Sequence, residues 1–294
     1  MSDDGSRGLT IIAFLGSVFS PYYAWARRRA PGGLAEPLNH AAVNVALYGA
    51  DGCRWAMTER GRSSVQRSHK TLTIGPSGLH WDGSTLTITI DEVTAPWPSR
   101  LRGTVRVVPA ALHAESFALD TAGRHRWAPI APCARVEVDL ASPRSRWSGP
   151  GYLDSNRGTA PLEADFRRWD WSRARAANGS TAVLYDVTRR DGSELGLALR
   201  FDPASATAEP FEAPPSLPLA PSGWRIARGT RSDRGGAASV VRSLEDGPFY
   251  ARAVVESRLF GEAASAVHES LDLDRFASPW VQAMLPFRMP RRSR

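Results

Sequence analysis

The stretch STLTITIDEV, residues 84–93, decides the fold class of this chain. Leucine and isoleucine alternate with threonine along it, which is the pattern of a strand with one buried face. The same alternation recurs in RLRGTVRVVP (100–109) and ARVEVDL (134–140), with glycine and proline turns between the segments. Strands at this spacing are typical of consecutive antiparallel pairs, so an all-β fold is predicted.

The second half of the chain continues the same pattern. STAVLYDVTRRDGSELGLALRF (180–201) predicts two strands around an Asp-Gly turn. SVVRSLED (239–246) and FYARAVVESRLFGE (249–262) predict further strands. Because 294 residues exceed the length of a usual domain, we predict two β domains, residues 1–168 and 169–294.

Composition restricts the partners. The formal net charge of +7 is spread along the chain, with clusters at Arg27 to Arg29 and in the closing RMPRRSR. This distribution suits an anionic membrane surface better than a nucleic-acid groove, so no nucleic-acid partner is predicted. Cys53 and Cys133 lack metal-ligand spacing, so free thiols and no metal are expected. Without a secretory signature at the N-terminus, a cytoplasmic location is expected.

Five long blocks of the chain resemble one known family. They are AFLGSVFSPYYAWARR (13–28), ALYGADGCRWAMTERGR (46–62), GRHRWAPIAP (123–132), GYLDSNRGTAPLEADFRRWDWSRA (151–174) and SPWVQAMLPFRMPRR (278–292). Together they are similar to the carotenoid 1,2-hydratases, also called hydroxyneurosporene synthases. The likeness extends over almost the whole chain. The family also has a segment rich in Trp and Tyr before SDDG, which this sequence does not contain.

The resemblance implies both a fold and an activity. The fold would be two lipocalin-like antiparallel β-barrel domains, with the catalytic residues in the first. The activity would be addition of water to the terminal C1=C2 bond of acyclic carotenoids such as neurosporene and lycopene, without a cofactor. Such substrates imply peripheral association with the inner or photosynthetic membrane.

The catalytic set also follows from the resemblance. His125 and Trp127 in GRHRW, and Tyr152 and Asp154 in GYLD, match the family's two pairs. If both segments are strands, residues two apart face the same side and each pair presents two side chains to one cavity. Asp154 would then protonate the alkene, and Trp127 and Tyr152 would face the cation. His125 would hold the Asp154 proton or take one from the attacking water.

Other interpretations of these residues stay open. Trp169 and Trp171 are expected in the substrate pocket, although large aromatics are also common in cores. Asp154 beside Asn156 is typical of an Asx turn, and a lone histidine is often structural. Asp170 offers a second carboxylate that a glycosidase would pair with Asp154. The alternative functions are a non-catalytic carrier of a long apolar ligand and a basic scaffold on a membrane.

Overall fold

The computed structural model describes residues 1–49 and 52–292, and strands dominate its regular structure. The predicted all-β class is confirmed. The strands up to residue 158 are β1 (Arg7–Leu15), β2 (Ala41–Gly49), β3 (Arg54–Met57), β4 (Glu59–Arg60), β5 (Val65–Arg67), β6 (Thr71–Ile74), β7 (Ser77–Trp81), β8 (Leu86–Val93), β9 (Arg100–Pro109), β10 (Phe117–Ala118), β11 (His125–Ser142) and β12 (Arg144–Gly158).

Ten more strands follow residue 158 in the described part of the chain, which also contains four α-helices. The strands are β13 (Phe166–Arg175), β14 (Thr181–Arg189), β15 (Glu194–Phe201), β16 (Ala208–Pro210), β17 (Ser216–Leu219), β18 (Arg228–Arg231), β19 (Ser239–Asp246), β20 (Tyr250–Leu259), β21 (Glu262–Asp272) and β22 (Arg291–Arg292). The α-helices in the described part of the chain are α1 (Pro21–Arg29), α2 (Leu162–Asp165), α3 (Leu273–Ala277) and α4 (Pro279–Arg288).

The described residues form two compact units. Unit 1 comprises those of Met1–Pro109, Ala134–Gly151 and Gln282–Arg294, and unit 2 comprises Ala110–Cys133 and Tyr152–Val281. The units are discontinuous in sequence because β11 and β12 each contribute residues to both. The predicted domains, residues 1–168 and 169–294, are continuous in sequence and are defined differently from these units. Their boundary stays a prediction.

Unit 1 contains the strand that decides the fold class. One of its sheets has the order β1–β2–β4–β22, with β3 also paired to β2. The other is a meander from β5 to β9, continued by the part of β11 that begins at Ala134. Strand β8 pairs with both β7 and β9, and its Leu86, Ile88 and Ile90 are buried, as the alternation predicts.

Unit 2 is built on a seven-stranded antiparallel sheet of order β16–β15–β14–β13–β21–β20–β19, beside the hairpin β17–β18. In the described residues, the strands at the two ends of this order do not pair with each other, and the sheets of unit 1 are also open. The closed barrels implied by the resemblance are therefore not formed. The edge at β16 has a physical reason, because several prolines follow within Pro210–Pro218 and proline lacks the N–H that a ladder requires.

Strand β13 separates two chemically different surfaces of unit 2. Trp169 and Trp171 lie on one face, and Asp170 and Ser172 lie on the other, because side chains alternate along a strand. The carboxylate of Asp170 accepts hydrogen bonds from the Ser270 hydroxyl and the backbone N–H of Gly229. Because the Asp170 carboxylate is already hydrogen-bonded within the protein, the candidate site is sought on the face of β13 that carries Trp169 and Trp171.

A buried ion pair stabilises unit 1. An Arg60 guanidinium nitrogen lies 2.7 Å from one carboxylate oxygen of Glu92, and the Ser77 hydroxyl donates to the other oxygen at 2.7 Å. Glu92 is fully buried, and burial raises the pKa of this carboxyl even though Arg60 acts in the opposite direction. The pair must stay intact because Arg60 makes the largest contribution that offsets the burial of the Glu92 charge.

Removing one charge of this pair should destabilise the protein. We expect Glu92→Gln to lower the free energy of unfolding in urea by about 3 kcal/mol, since it leaves the Arg60 guanidinium buried without a counter-charge. Glu137→Gln is the matched control, because Glu137 pairs with Arg106 on the exposed surface. Its cost should stay below about 1 kcal/mol. Equal costs for the two substitutions would contradict this account.

Candidate active site

Both predicted pairs of site residues lie on extended strands. His125 and Trp127 belong to β11, and Tyr152 and Asp154 belong to β12, which pairs with β11. The segment GYLD is therefore a strand, and the alternative of an Asx turn at Asp154 is wrong. Residues two apart on each strand share a face, as the spacing predicts.

The structure brings three of the four residues into direct contact. The indole N–H of Trp127 donates a hydrogen bond of 2.8 Å to Oδ2 of Asp154. The Tyr152 hydroxyl donates to the same oxygen at 3.2 Å. Trp127 is fully buried, so its ring fixes the position of the carboxyl group. All of these residues belong to unit 2.

Aromatic rings surround this carboxyl group. The ring of Tyr152 lies 5.3 Å from that of Trp171, and the ring of Trp127 lies 5.7 Å from that of Tyr185. Trp169 also contacts Tyr185, with ring centroids 6.2 Å apart. Trp169 and Trp171 thus stand in the same aromatic wall as the catalytic candidates. Tyr185 lies in a correctly predicted strand, but the sequence analysis did not single it out.

The environment of Asp154 raises the pKa of its carboxyl group. Burial raises its pKa to about 6, and the charge of Glu269 adds to the rise. The hydrogen bonds from Trp127 and Tyr152 act in the opposite direction, because they stabilise the ionised carboxylate. The result is a carboxyl group that keeps its proton up to about pH 6 and whose carboxylate form already accepts hydrogen bonds from two donors.

His125 is anchored apart from this carboxyl group. Its Nε2 lies 2.7 Å from an Asp165 carboxylate oxygen, and its backbone N–H donates to Asp120 at 2.6 Å. The ring packs edge-on against Phe166 at 4.8 Å. A Cβ at Gly158 would lie 2.5 Å from Nδ1 of the ring, so the end of β12 closes tightly over it. The contacts of His125 therefore position β11 relative to α2 and β12.

Two further side chains, Glu269 and Arg252, form a row of four with Tyr185 and Trp171 of the aromatic wall. In the strand register Tyr185 is opposite Trp171, Trp171 is opposite Glu269, and Glu269 is opposite Arg252. Directly opposite residues of neighbouring strands share a face of the sheet. The sequence analysis missed Glu269 and Arg252, because only the pairing of distant strands brings them here.

The structure also shows where Asp170 and the two cysteines lie. Asp170 lies on the opposite face of β13 and is bonded to Ser270, so the structure does not bring it together with Asp154. Cys53 and Cys133 are free thiols, as expected. Among the residues that the structure describes, no cluster of His, Cys, Asp and Glu could hold a metal ion.

Comparison with known proteins adds independent information. A family model described as carotenoid hydratase CrtC matches residues 11–294. The chain is 62% identical over 292 residues to an acyclic carotenoid 1,2-hydratase from Thiocapsa roseopersicina, with 99% of this chain and 71% of that protein covered. It is 54% identical over 297 residues to an acyclic carotenoid 1,2-hydratase from Rubrivivax gelatinosus, with 100% and 72% covered.

A solved structure supports the fold class alone. This structure, described as an AttH protein from Nitrosomonas europaea, has a TM-score of 0.57 to this chain and 13% sequence identity. The similarity covers 79% of this chain and 80% of that one. That protein has a lipocalin-like fold, so the class is lipocalin-like as well as all-β.

The raised pKa of Asp154 predicts a pH-dependent gain of stability on neutralisation. Its folded-state pKa of about 6 exceeds the ordinary value of 3.8, so the stability that protonated Asp154 provides is lost as pH rises through about 6. We expect Asp154→Asn to be more stable than wild type at pH 8 by about 1–3 kcal/mol, and equally stable near pH 4. Urea unfolding at both pH values measures the difference.

Asp82 provides the control of opposite sign. Hydrogen bonds from Ser84 and Thr85 lower the pKa of Asp82 to about 2, so its ionised form stabilises the fold above the unfolded-state pKa. Asp82→Asn should therefore lose stability at pH 8. A variant Asp154→Asn that gains nothing at pH 8 would contradict the described environment of Asp154.

Proposed function

Because the chain belongs to the carotenoid hydratase family, we propose that it adds water to the terminal C1=C2 double bond of acyclic carotenoids such as neurosporene and lycopene. Membership of the family makes the chain an enzyme. The observation that supports the mechanism is the carboxyl group of Asp154, held by Trp127 and Tyr152 inside an aromatic wall.

The reaction requires a proton donor and a place for positive charge. Protonation of C2, the less substituted carbon, leaves a tertiary carbocation at C1. Water forms the new C1–O bond and releases one proton, so one water is consumed and no electrons are exchanged. A site for this chemistry needs a carboxyl group that is protonated at working pH, an aromatic surface and restricted access of water.

The hydrogen bonds of Asp154 suit it to the role of donor. Both side-chain donors, Trp127 and Tyr152, bind Oδ2. A proton carried on Oδ1 can therefore leave while negative charge develops on an oxygen that is already stabilised. Preorganised donors of this kind lower the barrier because they need no rearrangement as charge develops.

The aromatic wall supports the cation. The rings of Trp127, Tyr152, Trp169 and Trp171 present electron-rich faces, each worth about 0.5–2 kcal/mol to a nearby cation. An enzymatic rate enhancement requires at least about 8 kcal/mol, so these contacts are only part of the catalysis. Positioning of the proton beside C2 and exclusion of bulk water supply the remainder.

His125 contributes to this mechanism as a positioning residue. Its ring is engaged by Asp165 and packed against Phe166, so it holds the strand that carries Trp127. Loss of this anchor would move the indole N–H away from Asp154. Direct proton transfer by His125 would require its ring to leave Asp165.

The substrate is also the basis for proposing a peripheral membrane location on the cytoplasmic side. Acyclic carotenoids reside in lipid, and the exposed Trp25 stands next to the cluster Arg27 to Arg29 on α1. Such a surface suits anionic lipid. The last two residues of the basic C-terminal segment lie outside the described residues. In the part of the chain that the structure describes, no helix is long and apolar enough to span a membrane.

Hydration in deuterated water tests the function. We expect the wild type, supplied with lycopene dispersed in detergent, to form an alcohol with one carbon-bound deuterium at C2. Asp154→Asn should lower the rate by at least about 100-fold, because it keeps the shape and loses the proton. Liquid chromatography with mass spectrometry measures both. Retention of unchanged lycopene by wild type would instead support the carrier.

The pH dependence of hydration tests the role of Trp127. The wild-type rate should fall about tenfold per pH unit above a midpoint near 6, where Asp154 loses its proton. Trp127→Phe removes the hydrogen bond that favours the carboxylate, so the midpoint should move to higher pH while the rate falls. If the midpoint is unchanged in this variant, the fall in rate at high pH reflects the titration of a group other than Asp154.

A further inference from the structure

We propose that Glu269 accepts the proton released by the attacking water, and that the indole N–H of Trp171 holds the oxygen of that water. This inference rests on the proposed hydration and deepens it by assigning the second half of the reaction. It places the proton donor and the proton acceptor on different walls of one site, with Asp154 on β12 and Glu269 on β21.

The strand register places the two residues side by side. Trp171 on β13 is directly opposite Glu269 on β21, and both share the face that carries Tyr185. Trp171 also contacts Tyr152, whose hydroxyl donates to Asp154. Only the side chain of Tyr152 therefore lies between Asp154 and Trp171 in this chain of contacts. Glu269 and then Arg252 follow Trp171 across the sheet.

Trp171 has a polar group with no protein partner. Its Nε1–H is buried and makes no hydrogen bond to any described residue. A buried donor without an acceptor is costly and is retained where a ligand or water supplies the acceptor. A water that accepts from this N–H keeps its second lone pair for attack on the cation.

Glu269 is held as an oriented carboxylate. Arg252 donates to its Oε1 from Nε at 2.9 Å and from a terminal nitrogen at 2.8 Å. Two bonds from one buried guanidinium to a single oxygen fix the carboxylate, and neither of these two bonds uses the other oxygen, Oε2. About a quarter of the Glu269 side chain remains accessible, so water can reach it.

The charge of Glu269 acts on the protonation of Asp154. The charge of Glu269 raises the pKa of Asp154 and also that of Tyr185. Two guanidinium groups also face this region: Arg252, which binds Glu269, and Arg173, which lies 5.6 Å from the centre of the Tyr152 ring. A charged Glu269 thus favours the protonated form of Asp154. This is the division expected of an acid and a base that act in the same turnover.

The steps balance. Asp154 gives its proton to C2, which forms a C–H bond and leaves the cation at C1. The water held by Trp171 forms the C1–O bond, and its O–H bond breaks as the proton passes to Oε2 of Glu269. Proton exchange through water then returns Glu269 and Asp154 to their starting states, with no oxidant or reductant required.

Deuterium exchange separates protonation from capture of the cation. In deuterated water, a cation that is not captured can lose the original C2 proton to Asp154 and return as alkene that carries deuterium at C2. We expect Glu269→Gln to lower alcohol formation by about 100-fold while the recovered lycopene still gains deuterium. Asp154→Asn should lose both products. Mass spectrometry of alcohol and recovered lycopene measures them together.

Matched controls test the specificity of the effect. Glu245→Gln removes the other carboxylate near Arg252, at 3.5 Å, and should leave both products within about twofold of wild type. Trp171→Phe keeps the ring and removes the N–H, so the ratio of exchange to alcohol should rise about three- to tenfold. Trp147→Phe, which removes another buried indole N–H without a partner, should leave that ratio unchanged.

The outcomes distinguish this inference from the function on which it rests. Alcohol formation by Glu269→Gln within twofold of wild type would overturn the inference and leave hydration by Asp154 intact. Loss of both alcohol and exchange in Glu269→Gln would also overturn it, because Glu269 would then act in protonation. If that variant does not fold, the ratio in Trp171→Phe decides. Failure of wild type to form alcohol would overturn the proposed function itself.

Discussion

The carboxyl group of Asp154 is half-buried, and the hydrogen bonds that it accepts control how readily it gives up a proton. Burial alone would hold the proton too firmly for a donor to an isolated alkene. The indole N–H of Trp127 and the hydroxyl of Tyr152 offset part of that penalty, because both stabilise the carboxylate at Oδ2. The distance from β11 to β12 sets these bonds, so the pairing of the two strands and the anchor at His125 both act on the acidity of one group.

The sequence could predict those features that depend on local pattern. Alternation in STLTITIDEV predicted a strand with a buried face, and β8 has one. The spacing of Tyr152 and Asp154 predicted two side chains on one face, and the structure brings them into contact. Open sheets in place of closed barrels were not predictable in this way. Closure depends on whether the outermost strands can pair, and the short β16 beside a proline-rich connection has few free N–H groups to offer.

The remaining part of the candidate site depends on pairing between distant strands. Glu269 reaches the site only because β21 pairs with β13, and Arg252 only because β20 pairs with β21. No short motif in the sequence encodes either pairing. The Asp165 partner of His125 is likewise 40 residues away in sequence, beyond the end of β12. From sequence alone, the histidine in GRHRW is a candidate acid or base, and its ring contacts with Asp165 and Phe166 are the basis for proposing a positioning role instead.

The two faces of β13 show how the fold separates chemistry from support. Asp170 and Asp154 are both carboxylates in one unit, yet Asp170 is satisfied by Ser270 and the Gly229 N–H on the far face. Asp154 lies among aromatic rings and near Glu269, and burial together with the charge of Glu269 favours its neutral form. Since alternate residues of one strand point in opposite directions, the Asp170 side of β13 supports the sheet while the tryptophan side forms part of the aromatic wall around Asp154. The energetic cost of keeping a poorly solvated carboxyl group therefore falls on the tryptophan side, where the proposed proton transfer requires it.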